Sequence, residues 1–486
     1  LGRGTDLDQA AEVELIRSLV ASHFKIYDAK VSMDAVVVMI TPDPSSLEAE
    51  FEKLRKEMKG RGYIPILEYK QGEYQIAVIR SPSRRMGRNW LNLTLLAITT
   101  ITTVLTGMAW WASYTSSSAL LTADNIIFGT LFFAAPLMTI LGVHELSHYL
   151  MSKRHGLDAS LPYFIPSIPP LGTFGAFISI REPMPSKKAL VDIGAAGPIA
   201  GFLVTIPFAL LGLYLNAQGP TTSALATGGA TVVNFPVFYD LLSLFVPQPA
   251  GLMSIHPLAF AAWVGFFVTA INLLPAGQLD GGHIARGLLG ERAKYLSIPV
   301  VGVLLIIGFF YYLGWLLFAF LIMFLGMRHP APLNDVTRLD AKRVVVGALC
   351  LLILAGSFVP IPLQDVPIDT SYSIEPIGSN TTTVIAGETA IFEMSVNNTG
   401  NVDNFTAHLY VENVPIGWGV GLYESTGPPS NATNTLDLVL PYNSAVGVTL
   451  EILVPSLAHH QNYTIAVVKS SSDPISSGLS FTVRVV

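Results

Sequence analysis

The chain predicts a polytopic α-helical membrane protein of about seven spans, with a small N-terminal cytoplasmic α+β domain and a C-terminal extracytoplasmic β-sandwich. Three observations predict it. Hydrophobic residues make up 51% of the 486 positions and charged residues 13%, against roughly 25% charge in a soluble domain. Apolar runs close to the ~20 residues needed to cross a bilayer recur between positions 91 and 363. Beyond 364 the pattern changes to short alternating runs separated by Gly, Pro and Asn. The expected division is therefore 1–89, 90–363 and 364–486. A net charge of −6 gives no nucleic-acid footprint. The single cysteine, Cys350, excludes an intrachain disulfide framework and a Cys-based zinc site. The opening residues carry no apolar signal-peptide core, so a transmembrane helix is expected to do the targeting.

Residues 1–89 read as a folded α+β unit without catalytic residues. Asp8–Phe24 has helical spacing of Ala11, Leu15, Ile16 and Leu19. Strands are expected at Lys25–Ser32, Ala35–Ile40, Tyr63–Glu68 and Tyr74–Ile79, with a second helix over Ser45–Lys59.

Membrane spans are expected at 91–112, 126–150, 190–215, 257–276, 297–327 and 344–363. Basic residues orient them, because Lys and Arg collect on the cytoplasmic side. Arg80, Arg84, Arg85 and Arg88 precede the first run; Lys153, Arg154, Arg181, Lys187 and Lys188 lie between the second and third; Arg286, Arg292 and Lys294 follow the fourth. Segments 113–125 and 216–256 contain neither Lys nor Arg. The N-terminal domain is thus expected inside, with spans two and four running inward. Arg328, Arg338, Lys342 and Arg343 also belong inside, which requires 297–327 to fold as a hairpin about Tyr311–Gly314 and brings the total to seven.

The last zone alternates apolar and polar residues at Thr389–Val396, Phe405–Val411, Val446–Val454 and Leu479–Val486, the pattern of a β-sandwich. Five Asn-x-Ser/Thr sequons, at Asn380, Asn397, Asn404, Asn431 and Asn462, agree with its placement outside.

Chemistry concentrates in the second span. His144 and His148 stand four apart, so on a helix they share one face and can hold one metal ion together. Glu145 lies beside them, where a carboxylate can take a proton from a hydrolytic water and return it to a leaving amine. Three ionisable side chains inside a span cost several kcal/mol in total unless paired or coordinated; a bare inter-helix polar cluster is the bland alternative. A catalytic zinc site needs a third protein ligand. His144 lies 18 residues past Ile126 and Asp280 lies 23 past Pro257. With both spans running inward at ~1.5 Å per residue, the two arrive at one depth near the cytoplasmic leaflet. Pro275, Gly277 and Gly281-Gly282 interrupt the backbone around Asp280, which is tolerated at membrane depth only where protein or a water cavity satisfies it.

Together, His144-Glu145-x-x-His148 and Asn272-Leu-Leu-Pro275-x-x-x-Leu279-Asp280-Gly281-Gly282 resemble the paired signatures of the site-2 protease family of intramembrane zinc metalloproteases. Gly172-Thr-Phe-Gly175-Ala-Phe-Ile, Val191-Asp192 with Ala196-Gly197-Pro198 and Gly201, Ile255–Leu258 and Leu333–Thr337 resemble its EGY-like branch. The turns Asn398–Asn401 and Pro415–Trp418 resemble a NEW3/CARDB-like β-domain. The resemblance implies a Zn2+ cofactor, His144, His148 and Asp280 as metal ligands and Glu145 as general base. It implies that Asn272 binds the substrate backbone, and that 171–181, with Gly172, Phe174 and Gly175, forms a hairpin whose edge pairs with an unwound substrate. Substrates would be transmembrane proteins, reached within membrane lipid.

Other readings compete at single residues. Asn272 could serve helix packing. Asp192 reads best as a helix cap or dipole partner, and Gly197-Pro198 with Gly201 as a close-packed, kinked helix face. His283, three past Asp280, could support the metal ligands but reads better as an interfacial cation, His155 and His256 as interfacial, and His459-His460 as surface residues of the sandwich. Phe174 and Phe177 suit either the substrate path or lipid anchoring. At the level of function, the rivals are a CAAX-type membrane protease, a metal transporter and an inactive protease-like scaffold. The first uses a Glu as third ligand in another motif, a transporter needs polar residues along a whole path, and scaffolds usually lose the Glu that is present here.

Overall fold

The computed structural model describes residues 3–32, 35–81, 89–219, 221–222, 230–247, 252–327, 329–426, 433–469 and 478–486. Arg84, Arg85, Arg88, Arg328 and Asn431 lie outside the described residues. The chain divides into two compact units, Leu1–Gly219 with Asn234–Gln248 and Ile255–Pro362, and Pro220–Val233 with Pro249–Ser254 and Leu363–Val486.

The first unit opens with α1 (Arg3–Ala21), β1 (Lys25–Val31), β2 (Val36–Thr41), α2 (Leu47–Gly60), β3 (Tyr63–Lys70) and β4 (Glu73–Arg80). The strands form an antiparallel sheet in the order β1-β2-β4-β3. Leu19 and Val20 of α1 and Phe51 and Leu54 of α2 share one apolar core with Val38 and Ile76 of the sheet. A residue far along the chain, Leu333, completes that core.

The helical core begins with α3 (Asn89–Tyr114) and α4 (Ala123–Gly129), which passes through a π-helical turn at Thr130–Ala134 into α5 (Ala135–Arg154). The widened turn sits where Pro136 has no N–H to give back to the preceding turn. A hairpin of β5 (Tyr163–Pro166) and β6 (Thr173–Phe177) leads to α6 (Lys187–Ala217), whose start is capped by the Ser186 hydroxyl accepting from Ala189 N–H. The chain then forms β7 (Thr221–Thr222), β8 (Ala230–Val233), α7 (Val237–Ser243), β9 (Leu252–Met253) and α8 (Pro257–Leu273). The helix ends in an irregular turn, and α9 (Asp280–Leu289) runs through a 3-10 turn into α10 (Lys294–Phe310). Next come α11 (Gly314–Leu325) and α12 (Ala341–Ser357). Among the described residues, four helical stretches are long and apolar enough to cross a membrane: Trp90–Tyr114, Ala123–Arg154, Lys187–Ala217 and Asp280–Phe310. Pro257–Leu273 and Gly314–Phe324 are shorter apolar helices. The run 297–327 is two helices, α10 and α11, broken at Tyr311 and packed on each other. Outward side chains such as Leu93, Phe309 and Phe324 are exposed and apolar, as lipid-facing positions require.

The second unit is a sandwich preceded by β10 (Leu363–Val366), which pairs with β8. Its strands are β11 (Tyr372–Ile377), β12 (Thr381–Val384), β13 (Thr389–Asn398), β14 (Phe405–Glu412), β15 (Gly419–Glu424), β16 (Thr435–Leu440), β17 (Ala445–Leu453), β18 (Asn462–Lys469) and β19 (Leu479–Val485). They form one sheet in the order β11-β13-β17-β15 and another in the order β12-β19-β18-β14-β16. Inward residues at every second position, such as Phe392, Met394 and Val396, meet Leu409, Ile465 and Phe481 in one core. Buried Asn398 ties the turns together: its amide donates to the carbonyls of Val402 (2.9 Å) and Pro441 (3.1 Å), and its Oδ1 accepts from Gly400 N–H at 3.0 Å. Asn398→Ala strands these buried groups and is expected to cost about 1–3 kcal/mol, seen as faster hydrogen exchange of the β13 and β17 amides.

Candidate metal centre

The metal motif lies in the second half of α5, one helical turn separating its two imidazoles. His144 and His148 are buried, 3% and 5% exposed, with ring centroids 4.8 Å apart. Their Nε2 atoms stand 3.1 Å from each other. Asp280 Oδ2 comes within 3.3 Å of His144 Nε2 and 3.1 Å of His148 Nε2. Among the described residues this is the one group of three such side chains with all donor atoms within 4.8 Å.

These residues fit a zinc ion. The His148 Nδ1–H donates to the Ile193 carbonyl at 2.7 Å, which leaves the Nε2 lone pair facing the centre. Three electron-pair donors then face one point inside a buried site, which is costly unless a cation sits between them. Ligands of one tetrahedral zinc at bond lengths of about 2.0–2.1 Å lie roughly 3.3–3.4 Å apart, close to the spacings observed. Glu145 Oε1 is 3.9 Å from His144 Nε2, near the donors without joining them. The backbone amide of Ile178, just past β6, faces its carboxylate.

Each donor is placed by a different device. The regular helix sets His144 against His148. Asp280 is delivered by the turn Leu274–Leu279, in which Gly277 takes a positive φ of 56° and donates its N–H to Ser297 Oγ at 3.2 Å. Helix α6 backs both imidazoles with glycines: a Cβ at Gly197 would fall 2.1 Å from His148 Nε2, and one at Gly201 would fall 3.1 Å from His144 Nδ1. The close-packed face expected of α6 therefore packs directly on the ligand rings.

Asn272, on the last turn of α8, points its amide nitrogen to within 3.4 Å of His144 Nε2. The hairpin lies along α3: Asn92 donates to Leu161 O (2.7 Å), Thr102 to Gly172 O (2.7 Å) and Trp110 to Pro170 O (2.9 Å). Gly172 itself touches α3, and Gly175, at φ 98°, lies in open space. Phe174 is 72% exposed, whereas Phe177 stacks on Tyr163.

Several residues sit otherwise than the sequence suggested. Asp192 does not cap α6; it lies one turn inside it and binds His155 Nε2 (3.0 Å) and the Arg343 guanidinium (2.5 Å), joining α5, α6 and α12. His155 is thus a hydrogen-bond partner of Asp192. His256 is buried, not interfacial: its Nδ1 accepts from Leu258 N–H to cap α8, and its ring meets Trp111, Tyr114 and Phe132 edge-on. The His-Pro pair at a helix start was the available signal for that cap. His283 contacts the ring of His329 at 2.5 Å rather than standing as an interfacial cation. Burial holds His329 below the usual imidazole range. His459 and His460 are exposed, as expected. The Ile193 carbonyl and the Ile178 amide were invisible in the sequence, because backbone groups leave no residue-type signature.

Comparison with known proteins agrees with this geometry. Residues 132–315 match the model of Peptidase family M50. The chain is 32% identical over 231 residues to "Probable zinc metalloprotease EGY1, chloroplastic" of Arabidopsis thaliana, covering 46% of this chain and 41% of that protein. It is 32% identical over 250 residues to "Probable zinc metalloprotease EGY2, chloroplastic" of Oryza sativa subsp. indica, covering 48% and 43%. The chain thus spans less than half the length of these relatives. A solved CARDB domain from Pyrococcus furiosus matches 24% of this chain and 88% of its own length at 14% identity, with a TM-score of 0.17 that carries no argument. The match, running from the π-helical turn before α5 to the start of α11 and enclosing the His-His-Asp cluster, makes the helical core similar to Peptidase family M50 and to the EGY-type zinc metalloproteases.

Proposed function

We infer that the chain is an intramembrane zinc endopeptidase that hydrolyses peptide bonds of single-pass membrane proteins near the cytoplasmic leaflet. The observation that carries this reading is the convergence of His144, His148 and Asp280 on one point, with Glu145 beside it and Asn272 at its rim. His144, His148 and Asp280 would hold the zinc, which when bound supplies Lewis acidity that polarises a peptide carbonyl and makes water a better nucleophile. Glu145 takes the proton of the attacking water and passes it to the leaving amine. The Asn272 amide donates to the substrate backbone, and to the oxygen that becomes negative as the carbonyl turns tetrahedral. A helical substrate has its carbonyls engaged, so it must unwind first. The edge of β6, with Gly175 and Phe174 along it, offers an extended partner for the unwound segment, and the Ile178 amide ties that edge to Glu145.

The charge pattern of the loops supports seven spans, the N-terminal domain inside, and the sandwich outside. In this reading the N-terminal domain regulates from the cytoplasm and the sandwich selects substrates by their outer segments. Sequons on the sandwich suit the plasma membrane of an archaeon. The test is metal analysis of purified protein paired with cleavage of a single-pass model substrate. About one zinc per chain is expected in the wild type, with loss of both metal and cleavage in His148→Ala and Asp280→Ala. Full zinc occupancy in either variant would show that the ligand set is wrong.

A further inference from the structure

Asp280 follows an irregular turn and opens α9, whose Gly281 packs on the end of α8: a Cβ there would fall 2.0 Å from Leu273 O. The Asp280 carboxylate goes where α9 goes. One side of α9 packs on α6. Ile284 and Leu288 of α9 also pack on α12, and a further attachment is ionic. Arg286, six residues and ~9 Å along the helix from Asp280, is 4% exposed, and its guanidinium grips Asp335 with two nitrogens, at 2.6 and 3.3 Å. Lys187, at the start of α6, adds a contact to the same carboxylate at 3.5 Å.

Asp335 belongs to a segment that is itself tightly seated. Leu333 O accepts from Leu67 N–H of β3 at 2.7 Å, while Leu333 N–H and Asn334 N–H donate to Met184 O (2.8 Å) and Pro185 O (3.0 Å). The segment thus lies as a short extra strand between the edge of the N-terminal sheet and the residues that lead into α6. The Leu333 side chain is in the N-terminal core. Asn334, 1% exposed, accepts the Val336 and Thr337 amides and holds the bend that presents Asp335. The same domain reaches the end of α5: Arg55 donates to His155 O at 3.2 Å and Lys59 to Gly156 O at 2.7 Å. These cations favour a helix C-terminus.

We propose that Leu333–Thr337 is a positioning strap, seated by the N-terminal sheet, in which Asp335 and Arg286 are positioning residues for the metal-binding carboxylate of Asp280. The inference rests on the metal-centre reading above and adds to it the route by which the N-terminal domain bears on the site. A donor must sit within a few tenths of an ångström of its place, so a small shift of the ten-residue helix α9 is felt at the metal.

The test compares wild type, Asp335→Asn and Arg286→Lys as full-length protein. Zinc affinity is read by competition with a chromophoric chelator, and ligand geometry by the visible absorption of the cobalt(II)-loaded form. Asp335→Asn is expected to weaken zinc by at least about tenfold, the lower end for groups that orient ligands, and to shift the cobalt spectrum. Arg286→Lys keeps the buried charge, loses the two-pronged grip, and is expected to move both readouts the same way by less. Wild-type metal uptake with affinity and spectrum unchanged in both variants overturns this proposal alone. A wild type that takes up neither metal overturns the metal-centre reading, and the proposal with it.

Discussion

Glu145→Gln is expected to lower the rate of substrate cleavage by about 10²–10⁴-fold, the usual contribution of a general base, while leaving zinc bound. The amide matches the carboxylate in shape and cannot accept a proton. Glu145 is 6% exposed, so a protein group rather than bulk solvent must take the proton there. At 3.9 Å from His144 Nε2 it is not a donor in the cluster, which is why metal content should survive the change. A thousandfold loss corresponds to about 4 kcal/mol of barrier, well beyond what a small shift in packing produces without loss of fold. The measurement is the cleavage rate of a single-pass substrate in liposomes, with zinc counted on the same sample. Cleavage at the wild-type rate would remove Glu145 from the chemistry; loss of zinc along with cleavage would make it part of the metal site instead.

What the sequence disclosed follows from the range of the interactions involved. Periodicity is local, so the helices and strands of the N-terminal unit and the sandwich strands at Thr389, Phe405, Ala445 and Leu479 were readable within a few residues. The two halves of the metal motif were also local, and loop charge brought them to one depth. The break at Leu274–Leu279 was foreshadowed by Pro275 and Gly277, and the division of 297–327 into α10 and α11 by the Tyr311–Gly314 interruption. Contacts between segments distant in the chain were not readable. Asp192 looked like a cap because position near a helix start is all a sequence reveals; its partners, His155 and Arg343, lie 37 and 151 residues away. Nothing local shows that Leu333 finishes the core of a domain more than 250 residues upstream. Four candidate spans meet the length criterion among the described residues, because α8, α11 and α12 are too short, at 17, 12 and 17 residues: a Pro- and Gly-broken turn, for one, ends α8 before its hydropathy ends.

Gly197 is the position where that non-local packing meets the chemistry most directly. Gly197→Ala adds one carbon, which would lie 2.1 Å from His148 Nε2, 2.4 Å from Cδ2 and 2.7 Å from Cε1. No approach so close survives, and the ring has no free direction to yield: its other nitrogen is held by the Ile193 carbonyl, on the same helix as the new methyl group. Either His148 swings off its carbonyl or α5 and α6 separate. Both outcomes move an imidazole nitrogen away from Asp280. Zinc affinity is therefore expected to fall beyond the 10–100-fold seen for groups that merely orient ligands, and cleavage with it. A control separates this from a general effect of alanine in a membrane helix. Gly302 on α10 has nothing within 4 Å of its would-be Cβ, so Gly302→Ala should keep both zinc and activity and gain up to about 1 kcal/mol of helix stability. The pair is compared by chelator competition and by thermal unfolding with and without added zinc. Wild-type affinity in Gly197→Ala would mean that α6 does not lie on the His148 ring.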